Sequence, residues 1–106
     1  MRILHLSWEY PPVMYGGLGR HVHALAETQA ARGDDVVVIT QAASGYAADD
    51  VVNGVRVIRV TRDAPDVADW RERFMEWTFG FNVAVARAGI ALAREWRPDV
   101  VHGHDW

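Results

Sequence analysis

Asp34-Asp35-Val36-Val37-Val38-Ile39-Thr40 is the stretch that decides the fold. Two acids lead into four consecutive branched apolar residues and a threonine, with no polar position between them. A strand with one face in water alternates polar and apolar residues, whereas a continuous run needs cover on both faces, as in a parallel sheet between helices. Upstream, Leu18, Val22, Leu25, Ala26 and Gln29-Ala30 recur at three- and four-residue spacing, while Arg20, His23 and Glu27 share the opposite face; this is an amphipathic helix. Arg32 suits the negative end of that helix and Gly33 its left-handed cap. Further upstream, Arg2 to Ser7 (RILHLS) is a second buried strand.

Working outward in the other direction, Gln41 to Asp50 is small and polar and reads as a loop. Asn53-Gly54 makes a turn before Val55 to Val60 (VRVIRV), where Arg56 and Arg59 alternate with Val and Ile as in a strand nearer an edge. Pro65-Asp66 opens a long helical region, which Gly80 divides or kinks. Its second part carries Phe81, Val85, Ala88, Leu92 and Trp96 on one stripe. Pro98 ends it, and Asp99 to His102 (DVVH) begins a fourth strand. The expected architecture is α/β: a partial Rossmann-like parallel sheet with its four strands in the order 3-2-1-4.

Composition narrows the chemistry. The 106 residues suit one domain, half of them hydrophobic, with 11 basic against 14 acidic side chains and a net charge of −3. This balance argues against nucleic acid or an anionic membrane as partner. Every basic residue is Arg, so a Schiff-base lysine is excluded within these residues, and without Cys so are thiolate nucleophiles and zinc thiolates. No apolar leader or membrane-length run is visible, which makes a cytoplasmic setting the expectation.

Open parallel sheets bind ligands at the carboxyl ends of their strands, near the switch point of the topology. Two segments of unusual composition occupy such ends. In Trp8 to Arg20, Pro11-Pro12 breaks the strand and Gly16, Gly17 and Gly19 precede the helix, whose N–H groups and dipole favour an anion such as a diphosphate. The plainer reading is a loop whose glycines only supply positive φ. The dinucleotide pattern is absent, since His21 and Val22 follow where a third glycine belongs, and Thr40-Gln41 stands where a ribose-binding acid would be. In His102-Gly103-His104-Asp105-Trp106, two imidazoles and a carboxylate admit three readings: a metal site completed by Glu9, Asp35 or Asp99, a structural strand end, or polar recognition of hydroxyl groups. His5 reads as a packed core histidine, and Trp70, Phe74, Trp77 and Phe81 as core or interface rather than a sugar platform.

Together these segments carry a resemblance. Arg2 to Pro12, Gly16-Gly17-Leu18-Gly19 and Arg97-Pro98-Asp99-Val100-Val101-His102-Gly103-His104-Asp105-Trp106 resemble the retaining GT-B glycosyltransferases, in the group of glycogen and starch synthases and the related group 1 enzymes. The actinobacterial α-1,4-glucosyltransferases of glycogen and methylglucose lipopolysaccharide synthesis are in that group. The resemblance runs along all 106 residues, and the pairing of the two motifs is more specific than either alone.

It implies that residues 1–106 are the N-terminal portion of the acceptor-side domain, with the second nucleotide-binding domain lying outside them and the 106 residues inactive when alone. Their self-association is expected on other grounds, the open edge of Asp99 to His102 and more aromatic surface in Trp70, Phe74, Trp77, Phe79, Phe81 and Trp96 than four strands bury. The implied reaction moves glucose from UDP- or ADP-glucose to a glucan-type acceptor with retention, without metal or other cofactor. His104 matches the histidine that binds the donor sugar and is the catalytic candidate. Gly16 and Gly17, with Gly19, would face the diphosphate, Arg20 and His21 the crevice, and Asp105 would shape the strand end. One position departs from the pattern: glycogen synthases usually carry Lys just before the two glycines, where Tyr15 stands here. Two other readings stay open beside this one, a non-catalytic sugar-nucleotide module and a metal-dependent hydrolase using His102, His104 and Asp105.

Overall fold

Val36 to Thr40 are almost wholly buried, which requires cover on both faces. The computed structural model describes residues 1–62 and 73–105. The expected helix start at Pro65-Asp66, Trp70 and Trp106 lie outside them. Among the described residues the elements run β1 (Arg2–Ser7), α1 (Gly17–Ala31), β2 (Asp35–Gln41), β3 (Asp49–Val52), β4 (Val55–Val60), α2 (Phe74–Ala93) and β5 (Val100–His104).

The sheet order is β3-β4-β2-β1-β5. Strands β4, β2, β1 and β5 are parallel, in the order expected for the four strands read from sequence. The addition is β3, antiparallel to β4, which makes the sheet mixed; its residues overlap the stretch expected to be a loop. The Asn-Gly turn explains it. Asn53 and Gly54 adopt φ of 50° and 82°, the left-handed pair of a two-residue hairpin, so a strand must precede them. Asp49 and Asp50 fit that strand because each meets an arginine of β4, Asp49 with Arg56 at 2.6 Å and Asp50 with Arg59 at 2.9 Å.

The helices cover opposite faces. Alternate residues of β2 divide between two cores: Val37 and Ile39 pack with Trp77, Phe81, Val85 and Leu92 of α2, whereas Val36 and Val38 pack with Val22 and Ala26 of α1. Helix α2 is continuous through Gly80, contrary to the expected division, because Trp77 and Phe81 on either side are both buried and stacked at 5.1 Å. These rings are therefore core, as read. Gly33 takes φ of 97° just beyond α1, as a left-handed cap should.

The end of the sheet away from the ligand-type segments is pinned by polar contacts. The backbone N–H of Arg2 donates to Asp99 Oδ2 at 2.8 Å, and Trp96 Nε1 donates to Asp35 Oδ2 at 2.6 Å. Asp35 and Asp99 are thus engaged where their strands begin.

Candidate functional site

The crevice is built by register. β1 and β5 are parallel neighbours with Ser7 opposite His104 and His5 opposite His102, so both strands deliver their following segments to the same end of the sheet. From above, α1 brings its first turn down toward β5: the His21 ring lies edge-on to His104 at 6.1 Å between centroids. The glycine segment and the histidine segment therefore meet.

The glycine segment is held from below by an acid. Tyr10 and Val13 exchange backbone hydrogen bonds of 3.1 and 2.9 Å across the Pro11-Pro12 bend. This folds the chain back over Glu9, which is only 4% exposed. One oxygen of Glu9, Oε2, accepts from the backbone N–H groups of Tyr15, Gly16 and Gly19 at 3.2, 3.2 and 3.1 Å. An internal carboxylate at the positive end of α1 satisfies donors that the helix leaves unpaired. None of Gly16, Gly17 and Gly19 has positive φ, so that reading of the loop fails. Space distinguishes them instead. A Cβ on Gly16 or Gly17 would meet nothing within 4 Å, whereas one on Gly19 would lie 2.8 Å from Met14 and 3.0 Å from Glu9 Oε2. Gly19 is needed for close packing; Gly16 and Gly17 are open to an approaching group. Arg20 and His21 are exposed beside them. Tyr15, at the departing position, stacks on Trp8 at 5.6 Å.

In the histidine segment, His104 is buried and His102 exposed, their ring centroids 3.9 Å apart. His5, fully buried, links the segment to α1. Its Nε2 lies 2.7 Å from Gln29 Oε1 and its Nδ1 lies 2.9 Å from His104 Nε2. An amide oxygen only accepts, so His5 carries its hydrogen on Nε2 and its Nδ1 accepts from His104 Nε2–H. His104 is left with Nδ1 as its acceptor nitrogen. Burial, with His102, His5 and His21 nearby, lowers the His104 pKa to about 4, and burial lowers that of His5 against the opposing Gln29 bond. At neutral pH His104 is an uncharged hydrogen-bonding group, suited to a hydroxyl rather than to a phosphate.

The expected set His102, His104 and Asp105 does not assemble. Among the described residues the group of ligand-type atoms within 4.8 Å of one another is completed by His5, and Asp105, exposed and with φ of 65°, is not part of it. Asp105 instead borders a cavity of about 240 Å³ on the α2 face, with Trp8, Phe81, Val85 and His104. The sequence reading missed Glu9 as the brace of the loop and Gln29 as the partner of His5. An acid just ahead of a glycine-rich helix start was the available signal for the first; Gln29 gave none beyond its place on the apolar stripe.

Residues 2–106 match the starch synthase catalytic domain. The chain belongs to that family. Over its full extent it is 49% identical to a glycogen synthase of Mycobacterium tuberculosis and covers 28% of that protein. It is 33% identical to an uncharacterized glycosyltransferase of Methanocaldococcus jannaschii, of which it covers 25%. A shorter stretch, 40% of the chain, is 45% identical to 8% of a glycogen synthase of Burkholderia thailandensis. The chain thus spans roughly a quarter of the curated relatives it matches over its whole length. Among the described residues no helix is long and apolar enough to cross a membrane.

Proposed function

We propose that the protein carrying these residues is a cytoplasmic retaining glucosyltransferase that moves glucose from UDP- or ADP-glucose to a glucan-type acceptor. The observation that carries this is the meeting of two unlike surfaces at one sheet end: an open glycine turn at a helix N-terminus and a neutral, buried histidine. The first suits a diphosphate. The second suits a sugar hydroxyl, with His104 Nδ1 accepting. Arg20, exposed on the first turn, is available to phosphate or acceptor. Identity to proteins named glycogen synthase supports glucose as the transferred group.

In such a transfer the sugar gains positive charge and the diphosphate negative charge as the bond between them breaks. A site with donors already aimed at the diphosphate lowers that barrier. This chain contributes one wall; the groups that bind the base and most of the diphosphate belong to a second Rossmann-like domain outside it.

The test uses the full-length enzyme. His104→Ala should cut transfer by a factor on the order of 100 or more, the range for loss of a transition-state hydrogen bond, with nucleoside diphosphate affinity nearly unchanged. Gly17→Val, at a position where a Cβ meets nothing within 4 Å, should weaken the nucleotide instead. Equal loss of nucleotide affinity in both variants contradicts the assigned roles.

A further inference from the structure

We infer that His5, His102 and His104 form a three-imidazole site for a divalent transition ion of zinc type, at the carboxyl ends of β1 and β5. One nitrogen from each ring lies within 4.8 Å of the others. The backbone builds this set: His5 and His102 face each other across the parallel pair, and His104, two residues on, projects to the same side. Two ligands at i and i+2 of one strand and a third on its neighbour make a triangular set on a rigid sheet.

His5 has the arrangement a ligating imidazole needs. Its Nε2 is already committed to Gln29 at 2.7 Å, which fixes the ring and aims Nδ1 at the other two histidines. A second partner on the far nitrogen is the usual support of a metal-bound histidine. A hydrogen bond of 2.9 Å joins His5 Nδ1 and His104 Nε2, its proton assigned to His104 by the Gln29 contact. Zinc bonds of about 2.0–2.1 Å in tetrahedral geometry put ligand nitrogens about 3.3–3.4 Å apart. The pair must therefore open by roughly half an ångström as the ion takes the place of that proton, which passes to His104 Nδ1, and His102, exposed on an edge strand, can turn to complete the set. All-imidazole ligation favours zinc, copper or nickel over magnesium or calcium. Three protein ligands leave a fourth position for water or another oxygen donor.

One consequence rests on the reading of His104 given above. An ion held on His104 Nε2 leaves the ring hydrogen on Nδ1, so the nitrogen read as the sugar's acceptor becomes a donor; zinc should inhibit transfer, and donor sugar should oppose zinc uptake. Binding itself does not depend on that reading.

The experiment titrates zinc chloride into chelator-stripped full-length protein by calorimetry, with a chromogenic chelator as competitor. One saturable site per chain is expected. Gln29→Ala should weaken it about 10- to 100-fold, as loss of a supporting partner does, and His102→Ala should abolish it. His102 is exposed, so this variant is expected to fold, which circular dichroism checks. No saturable uptake, or equal uptake by wild type and His102→Ala, overturns the site. Uptake that His102→Ala removes but that leaves transfer uninhibited upholds the site and counts instead against His104 Nδ1 as the acceptor for a sugar hydroxyl.

Discussion

The Oε2 atom of Glu9 lies 3.1 Å from the backbone nitrogen of Gly19, and the same oxygen also receives the N–H groups of Tyr15 and Gly16. The start of α1 is therefore not an empty anion hole. An acid from the strand-end loop occupies its inner side, and only the outer side, at Gly16 and Gly17, is open to a ligand.

Replacing that acid should loosen the loop before it unfolds the domain. In Glu9→Gln one amide oxygen can still accept, but the charge facing the helix dipole is gone. Hydrogen bonds to charged groups contribute about 1.5–3 kcal/mol, roughly twice the neutral value. We expect a loss of about 1–2 kcal/mol in urea unfolding, with weaker nucleoside diphosphate binding in the full-length protein. Unchanged stability would mean that the three contacts do not hold the loop.

The glycines should separate by position. Gly17→Ala introduces a Cβ into open space and replaces a flexible residue in the first helical turn, so it should be neutral or stabilising by up to about 1 kcal/mol. Gly19→Ala drives a Cβ to 3.0 Å from Glu9 Oε2 and 3.2 Å from Glu9 Cβ, and Met14 must also move. Overpacking of this kind costs about 1–3 kcal/mol. Thermal melts of the two variants give the comparison, and a Gly19→Ala protein as stable as Gly17→Ala refutes the packing role.

A pH effect follows from Tyr10 beneath the same loop. Burial, aided by the Glu27 carboxylate and opposed by Arg59, pushes its phenol up to about 12 from an ordinary 10.0. The folded state thus favours the neutral phenol. Its contribution to stability is fully present below pH 10.0 and is lost as pH rises through about 12. Tyr10→Phe should be less steeply destabilised than wild type across that interval in alkaline denaturation. Parallel curves for the two proteins would place the phenol in contact with solvent.

How legible all this was depended on the range of the interaction. The run Val36 to Thr40 announced a doubly covered strand because burial on both faces leaves no room for a polar residue. Periodicity gave α1, and the composition at the ends of β1 and β5 gave the crevice. What failed was non-local or read too literally. β3 has little strand propensity in Asp49-Asp50, and its stability comes from Arg56 and Arg59 on the partner strand and from the Asn53-Gly54 turn. Gly80 suggests a division or a kink, and the division does not occur because local propensity yields when neighbours such as Trp77 and Phe81 are buried. The histidine cluster needed register: His5 and His104 are 99 residues apart in sequence, and no spacing rule connects them.

The final prediction concerns a protein made of these 106 residues only. β5 pairs with β1 and with no other strand among the described residues, so its outer N–H and C=O groups form a bare edge. Val100 and Val101 on it are 42% and 58% exposed. The outer face of α2 adds Met75, Phe79, Val83 and Ile90, all exposed and at spacings that place them along one side of the helix. Single exposed apolar residues are ordinary, but an apolar helix stripe and an open sheet edge are surfaces that monomers rarely leave in water. The aromatic excess expected from sequence contributes less, since Trp77 and Phe81 are already core. We expect dimers or larger assemblies through β5 and α2 at concentrations on the order of tens of micromolar, where such edges associate. Val101→Lys, a charge on the bare edge, should shift the population toward monomer. Light scattering that finds wild type monomeric, or finds Val101→Lys assembled to the same degree, removes the edge from the explanation. Glucose transfer from a nucleotide sugar by these residues alone would show that the second domain is dispensable, contrary to the one-walled site proposed here.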